Sequence, residues 1–341
     1  MTASSRSGVT ALRVHRYQET PIVAVDEVPS PTWGPHDVVV APRAAALHVA
    51  DLLMMKGEYQ VRPELPFVPG MEAAGLVIEV GDAVSHVAPG DRVLAVMAQG
   101  AIAGAAVVPG AQVARIPDSM TYSAAATFGI AYFTAYAALH FRAGVRAGET
   151  VLVTGARGGV GRACAQLAKA MGATVVAVSR DAEKARPELR ECVDNVVEAD
   201  GETVVDAVKR VTGGRGVDVV IDVVGGRLLS QLVRATAWEG RIVIVGFAAG
   251  APEPIKPGHL LVKNVSVAGL QSTDYWTRSP DRLRAALGEL LALVDTGALS
   301  VPEPREFRVG EIDVAMRALA EGSSRRSVVI LVGQDETSGA K

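Results

Sequence analysis

Four glycines in the middle of the chain are spaced in a way that could serve phosphate binding: Gly155, Gly158, Gly159 and Gly161. Before them, residues 151–154 form a short β-branched apolar run, which is typical of a strand buried on both faces. After them, residues 162–171 carry apolar side chains at helical spacing, and residues 174–178 form a second β-branched run. Strand, glycine-rich turn, helix and strand together make the crossover that opens a dinucleotide-binding half.

Glycine suits such a turn because it tolerates a tight backbone and, lacking a Cβ, lets that backbone approach a pyrophosphate. The start of the following helix adds free N–H groups and a partial positive charge. The spacing GxxGGxG departs from the common GxGxxG, and a glycine-rich surface turn is the alternative. The position between a strand and a helix is therefore what favours a dinucleotide. The residues expected to hold its diphosphate are Ala156, Arg157, Gly158, Gly159 and Val160.

The end of the second strand indicates which dinucleotide is bound. An NAD-type cofactor is usually held there by an acidic side chain on the adenosine ribose, whereas a 2'-phosphate requires cations. The chain has Ser179 and Arg180 at this place, followed by Lys184, and a guanidinium, a hydroxyl and an ammonium suit a phosphate. The sequence therefore predicts NADPH. Asp181 is a competing candidate for the ribose, and its alternative role is to cap the helix beginning at Ala182.

Composition excludes several classes of protein. The 341 residues leave room for two domains, and a formal net charge of −3 gives no electrostatic basis for binding nucleic acid or an anionic membrane. Two cysteines, Cys164 and Cys192, are too few for a disulfide framework or a four-cysteine zinc site. No charged segment followed by an apolar one opens the chain, and the apolar stretch 97–114 is broken by glycine and proline. We therefore expect a cytoplasmic protein without a membrane span.

The order of predicted elements indicates two domains in an α/β protein. Short strands alternate with Pro/Gly turns as far as residue 115, which is typical of a β-barrel-like domain with little helix. Residues 122–141 are predicted to form a helical connector. Strands and helices then alternate, and six such strands predict a Rossmann doubly wound parallel sheet of order 3-2-1-4-5-6. The expected domains are 1–124 with 271–341, and 125–270.

Six blocks of sequence, taken together, resemble the medium-chain dehydrogenase/reductase superfamily, and within it the zinc-free NADPH:quinone oxidoreductase branch. They follow the family's order over nearly the whole chain, at residues 65–84, 89–93, 148–161, 216–226, 240–250 and 260–270. The first reads LPFVPGMEAAGLVIEVGDAV and the third GETVLVTGARGGVG. The resemblance implies a GroES-like β-barrel catalytic domain together with the Rossmann domain. It also implies a homodimer, since the sheet edge at 265–269 invites pairing with a second copy.

The chain differs from the zinc-containing members of this superfamily at the positions of their catalytic metal ligands. In the zinc alcohol dehydrogenases of this superfamily a cysteine and a histidine, the latter in a Gly-His-Glu run, hold the catalytic zinc. The corresponding places here have His48 or Val49 and Met71, which do not make a three-ligand zinc site. Glu72 is interpreted as a structural carboxylate, and His48 as a packed or pocket-lining side chain. Hydride addition to a saturated ketone needs a Lewis acid or a strong proton donor, so this departure favours conjugated substrates.

The resemblance also places the substrate end at HVADLLMMKGEY, where the family commonly has an asparagine or other polar residue, then an aspartate and a tyrosine. This chain has His48, Asp51 and Tyr59 there. Tyr59 is the candidate proton donor or carbonyl partner, and a loop tyrosine that shields the cleft is its alternative role. The residues expected at the adenosine and nicotinamide ends of the cofactor are Val223, Val224, Gly246, Phe247 and Ala248, with Thr134 of the connector near the nicotinamide.

The expected reaction is zinc-independent hydride transfer from NADPH to a quinone or to the β-carbon of an α,β-unsaturated carbonyl, followed by protonation. In such a reaction the cofactor carries the chemistry, and the protein supplies position and polar contacts. An enoyl-thioester reductase acting on enoyl-CoA or an acyl carrier is one alternative. A protein that binds NADPH with little turnover is another. The expected partner is a small quinone or enone, with no nucleic acid and no membrane.

Overall fold

The computed structural model describes residues 8–199, 203–250, 253–321 and 327–333, and these form two compact units. The first contains the described residues up to Ile130, together with Ser279–Asp295 and those from Ser300 onward. The second contains Ala131–Arg278 and Thr296–Leu299. The chain returns to the first unit after completing most of the second, so the first unit is discontinuous in sequence.

The first unit is built mainly from antiparallel strands. Its strands are β1 (Val9–Val14), β2 (Val23–Val28), β3 (Asp37–Leu47), β4 (Glu72–Val80), β5 (Arg92–Val96), β6 (Ala106–Pro109), β7 (Val113–Arg115), β14 (Arg305–Arg308) and β15 (Val328–Leu331). In the described part of the chain β1 pairs with β2, and the larger sheet has the order β14-β15-β3-β4-β5-β7, with β6 on β3. Half-buried side chains alternate with exposed ones along most of β2, whereas β5 is buried over most of its length. This is the barrel-like architecture that the strand and turn pattern predicted.

The second unit is a parallel sheet covered by helices. Its strands are β8 (Thr150–Thr154), β9 (Thr174–Ser179), β10 (Asn195–Glu198), β11 (Val217–Asp222), β12 (Thr236–Ile244) and β13 (Ser266–Gly269), and among the described residues their order is β10-β9-β8-β11-β12-β13. Numbered within the unit, this is 3-2-1-4-5-6, so the predicted doubly wound topology is confirmed. Every residue of β8 is buried because helices cover both faces of a parallel sheet.

The helices have the following bounds in the structure: α1 (Val49–Lys56), α2 (Tyr122–Ala125), α3 (Gly129–Tyr136), α4 (Gly159–Ala170), α5 (Ala182–Leu189), α6 (Val204–Val211), α7 (Leu229–Ala235), α8 (Pro257–Leu261), α9 (Asp274–Arg278), α10 (Pro280–Asp295) and α11 (Ile312–Ala320). The alternation of strands and helices predicts a helix over residues 202–211, of which residue 202 lies outside the described residues. In the structure α6 begins at Val204, because the side chain of Thr203 caps it by accepting from the Asp206 N–H. No helix in the described ranges combines the length and the apolar character needed to cross a bilayer.

The predicted helical connector is interrupted once in the structure, at residues 126–128. It contains α2, then α3, and then one stretch of π-helix at Ala137–Ala143. Gly129 opens α3, and a Cβ there would lie 2.7 Å from Val96 Cγ1 and 3.1 Å from Glu72 Oε2. The absence of a side chain at Gly129 therefore lets the backbone at the start of α3 approach a carboxylate of β4 closely.

Candidate functional site

The carboxyl ends of the parallel strands bring most of the predicted cofactor residues to one edge of the second unit. Thr154 ends β8, Ser179 ends β9, Asp222 ends β11 and Ile244 ends β12. The turns that follow these strands contain the predicted contacts. Ligands of open α/β sheets bind at this edge because the connections reverse direction there.

The glycine-rich turn has the backbone geometry that a diphosphate requires. Gly155 has a φ of 66°, in the left-handed region that favours glycine, and a Cβ on Gly161 would lie 2.2 Å from the Gly155 carbonyl oxygen. Gly158 is the N-cap of α4, and among the described residues no side chain caps the first N–H groups of this 12-residue helix. These N–H groups and the helix dipole suit an anion, so the residues present fit a dinucleotide.

Arg157 of this turn is already held by an acidic partner. Its Nε lies 2.8 Å from Glu188 Oε2, and a second guanidinium nitrogen lies 3.2 Å from Oε1. Arg162 donates to the Glu188 carbonyl from the first turns of α4. Glu188 therefore fixes the direction of the Arg157 side chain, and Arg157 contributes less net charge to the turn than the sequence indicates.

The two cations predicted at the 2'-phosphate, Arg180 and Lys184, differ in their partners. The side chain of Asp181 caps α5 by accepting from the Lys184 N–H at 3.0 Å, and its other oxygen lies 2.6 Å from Lys184 Nζ. The hydrogen bond and charge of Lys184 lower the pKa of Asp181. Arg180 is exposed and makes no hydrogen bond or ion pair with another described residue. Ser179 Oγ donates to the Asp181 carbonyl.

The turns after β11 and β12 are tied to the glycine-rich strand by a buried threonine. Thr154 Oγ1 donates to Asp222 Oδ1 at 2.7 Å and accepts from the Val223 N–H at 2.9 Å. The Ala248 N–H donates to the Val223 carbonyl at 3.4 Å, which joins the second turn to the first. Phe247 in that turn is 53% exposed. The side chain of Phe247 is thus available to a ligand at this edge.

Thr134 of the connector is the remaining residue predicted near the cofactor. It is buried on α3, and its hydroxyl donates to Ser272 Oγ at 3.0 Å. The hydrogen bond satisfies the buried hydroxyl, and it joins α3 to the segment after β13.

A second polar cluster, in the first unit, contains His48, Asp51 and Glu72. His48 is the N-cap of α1, and its Nε2 lies 2.7 Å from Oε1 of Glu72, the first residue of β4. The other carboxylate oxygen, Oε2, accepts from the Ile130 N–H at 2.9 Å. Glu72 is fully buried, while 26% of the His48 side chain is exposed. Asp51 is also buried, and its two oxygens accept from the N–H groups of His48 and Gly70.

The charged groups of this cluster shift the pKa values of His48 and Asp51. Burial alone would lower the pKa of His48, but the hydrogen bond to Glu72 and the charges of Glu72 and Asp51 outweigh it, so the pKa is raised. Burial raises the pKa of Asp51, although His48 and the two backbone N–H groups oppose this. Because backbone groups take both of its oxygens, Asp51 positions the start of α1 and the Gly70 turn.

Tyr59 lies half-buried beyond the end of α1. Burial, and then the charge of Asp51, raise the pKa of its phenol. Its hydroxyl makes no hydrogen bond to another described residue. Tyr59 can therefore offer its O–H to a ligand, but as a weaker acid than an ordinary tyrosine.

Sequence reasoning did not identify the partners that hold these residues. It interpreted Glu72 as structural, and it did not consider Glu188, Thr154 or Asp222. The one available signal for Glu72 was its place beside Met71 in the block that resembles a metal site. Within the described ranges, no group of three or more His, Cys, Asp or Glu side chains could hold a metal ion.

Two family models match separate parts of the chain. The family model for the alcohol dehydrogenase GroES-like domain matches residues 34–118, and that for zinc-binding dehydrogenase matches residues 159–291. A quinone oxidoreductase-like protein 2 homolog of Nematostella vectensis is 36% identical over 313 residues, which cover 91% of this chain and 86% of that protein.

Two solved structures are similar over nearly their whole length. A probable oxidoreductase from Mycobacterium abscessus is 32% identical with a TM-score of 0.82, and the match covers 96% of this chain and 100% of that one. The quinone oxidoreductase from Thermus thermophilus, also solved in complex with NADPH, is 30% identical with a TM-score of 0.81, covering 95% and 100%.

The fold, the glycine-rich turn and these similarities define an NAD(P)-dependent oxidoreductase. The chain belongs to the medium-chain dehydrogenase/reductase superfamily, in its quinone oxidoreductase branch, which confirms the resemblance of the six sequence blocks.

Proposed function

We propose that the protein is a zinc-independent, NADPH-dependent reductase of quinones or α,β-unsaturated carbonyls. The observation that carries the cofactor choice is the arrangement after β9. Asp181 is engaged as the cap of α5 and as the partner of Lys184, while Arg180 is exposed and unpaired among the described residues. A guanidinium with open donors suits a 2'-phosphate, and an engaged carboxylate does not compete for the ribose.

The proposed NADPH contacts are divided among the strand ends. The N–H groups of residues 156–160 would hold the diphosphate, and Ser179, Arg180 and Lys184 would hold the 2'-phosphate. Val223, Val224 and the turn at 246–248 would line the rest of the cofactor, with Thr134 as a proposed neighbour of the nicotinamide. When bound, NADPH supplies the hydride. The protein's residues orient the two reactants and exclude water.

The chemistry of the His48 cluster supports a reaction without zinc. One ring nitrogen of His48, Nε2, is already hydrogen-bonded to Glu72, and Met71, next to Glu72 in the sequence, offers only a thioether. A quinone or an enone spreads the developing charge over a conjugated system, so hydrogen bonds from His48 and Tyr59 can stabilise it. The names of the relatives in the quinone oxidoreductase branch support the same substrate class.

The test is NADPH and NADH oxidation with a panel of quinones, enones and enoyl-CoA thioesters, before and after exhaustive chelation. We expect turnover with quinones or enones, a preference for NADPH, and activity that survives chelation. Activity that is lost on chelation and restored by zinc would contradict the metal-free reaction. Turnover confined to enoyl-CoA would favour the thioester reductase, and tight NADPH binding without turnover would favour a binding protein.

A homodimer is part of the proposal. Strand β13 lies at one edge of the parallel sheet, and Ser266 and Gly269 at its ends are exposed. An unpaired strand edge offers N–H and C=O groups to a second copy of the same strand.

A further inference from the structure

Arg157 extends its side chain from the glycine-rich turn toward helix α5. Its Nε and Nη2 donate to the two carboxylate oxygens of Glu188, at 2.8 and 3.2 Å. This pairing occupies one edge of the planar guanidinium, and Nη1 makes no hydrogen bond to another described residue. The Arg157 side chain is 32% exposed. The N–H groups that Glu188 does not take are therefore open to a ligand.

The guanidinium of Arg157 lies on the side of the turn that faces the end of β9. Its partner Glu188 belongs to α5, which begins shortly after that strand ends. The hydrogen bonds of Lys184 lower the pKa of Asp181 most, and the charge of Arg157 also contributes. A dinucleotide whose diphosphate lies at the glycine-rich turn has its adenosine ribose at the end of this second strand. The side chain of Arg157 is thus placed toward the ribose.

Glu188 reduces the charge that Arg157 can offer to a phosphate there. A phosphate at the open edge of the guanidinium would be attracted by Arg157 and repelled by the carboxylate behind it. The attraction is the larger of the two, because the guanidinium is nearer and Coulomb energy falls with distance. The pair therefore still favours a phosphate, but less than an uncompensated arginine does.

We propose that the side chain of Arg157 binds the 2'-phosphate of NADPH, and that Glu188 is a specificity-determining residue that limits the preference for NADPH over NADH. This inference rests on the NADPH dependence proposed above. It gives Arg157 a role beyond that of its backbone N–H, which is expected at the diphosphate. NADH has the diphosphate but no 2'-phosphate, so the pair should affect NADH much less.

The first measurement is the dissociation constant of each reduced cofactor, by titrating nicotinamide fluorescence in the full-length protein without substrate. Arg157→Gln should weaken NADPH binding by about 10-fold or more, because it removes charged donors and leaves the carboxylate unpaired. Glu188→Gln should strengthen NADPH binding by about 3-fold or more, because the amide can still accept from Arg157 but carries no opposing charge. The variant with both substitutions should recover part of the loss, and NADH affinity should change by less than about 2-fold throughout.

Lys169→Gln is the matched control. It also removes a cation that is paired with a carboxylate, Asp194, but in the last turn of α4. This position is about 15 Å along the helix from its start, beyond the Debye length at physiological salt. The control should leave the affinities for both cofactors unchanged.

The second measurement isolates the 2'-phosphate. Adenosine 2',5'-bisphosphate and AMP are titrated as competitors of NADPH, since they differ only in that phosphate. The effects of Arg157→Gln and Glu188→Gln should appear with the bisphosphate and not with AMP. Both effects should also become smaller as the salt concentration rises.

Weaker NADPH binding in Glu188→Gln would overturn the inference, because a pair that only supports the fold of the turn gives that result. A gain in affinity cannot come from a damaged fold. Equal changes for NADPH and NADH would also overturn it, since they would place Arg157 at the diphosphate. If the wild type does not prefer NADPH, the proposed cofactor and this inference fail together. If it prefers NADPH but reduces no quinone or enone, only the reductase function fails, because the binding constants do not depend on turnover.

Discussion

Arg180 and Lys184 are both cations near the end of β9, but the structure gives them different charge environments. Lys184 lies 2.6 Å from Asp181, so much of its charge is already compensated. Arg180 is exposed and makes no ion pair within the described ranges. A bound phosphate would gain more from the uncompensated guanidinium, because it can offer two parallel donors without breaking an existing pair.

Replacement of Arg180 by Gln should therefore weaken NADPH binding by about 10-fold or more, since a hydrogen bond to a charged group contributes about 1.5–3 kcal/mol. NADH lacks the 2'-phosphate, and its affinity should change little. Both dissociation constants can be measured by titrating the fluorescence of the reduced nicotinamide. Lys184→Gln is the matched control and should cost less. Equal losses for the two cofactors would contradict the assignment of Arg180.

At the scale of elements, the binding edge depends on how closely α4 approaches the end of β8. Gly161 lies in the first turn of α4, where a Cβ would be 2.2 Å from the Gly155 carbonyl oxygen. The opposing atoms are backbone, so no side-chain rotation can relieve this overlap. The short distance between helix and turn is also what aims the helix N–H groups at the diphosphate.

Gly161→Ala should lower stability by about 2 kcal/mol or more, because a backbone overlap forces α4 away from the turn. It should also reduce NADPH affinity. Gly288→Ala is a control in the exposed interior of α10, where a Cβ would meet no atom within 4 Å. That variant should be up to about 1 kcal/mol more stable than wild type, because alanine favours the helix. Thermal unfolding measures both, and a tolerated Gly161→Ala would show that the contact is less close than described.

At the scale of the whole molecule, each of the two units contains its own group of candidate residues. The parallel sheet of the second unit contains the strand ends that fit a dinucleotide, and the first unit contains the His48–Glu72 pair. The open edge of the parallel sheet at β13 is the feature by which two copies could associate. The shared edge would extend the sheet across a twofold axis.

We predict that the protein is a dimer in solution and that Val267→Lys in β13 shifts it toward a monomer. Charged side chains on edge strands oppose edge-to-edge pairing, and each copy would bring a lysine to the shared edge. Light scattering after size-exclusion chromatography gives the mass directly. NADPH affinity serves as the control for folding of the variant. A monomeric wild type would refute this expectation.

Local patterns in the sequence predicted a large part of the fold. The glycine-rich turn, the strand order of the parallel sheet and the cap at Asp181 depend on backbone conformation, hydrophobic periodicity and neighbours within a few residues. The confirmed strand order follows because parallel strands joined by right-handed crossovers have few possible arrangements. The connector was less predictable, because its break at Gly129 depends on contacts with β4 and β5 rather than on local propensity.

The sequence by itself determined the superfamily and the presence of an NAD(P)-type cofactor site, because both are written in short, contiguous motifs. Only the tertiary structure decided which charged side chains are paired with one another. Glu72 meets His48 across 24 residues, and Glu188 meets Arg157 across 31. Pairings over such separations depend on which strand ends and helix starts the fold brings together. The ionisation and direction of a side chain follow from those pairings. The pairings cannot be predicted from the spacing of residues along the chain.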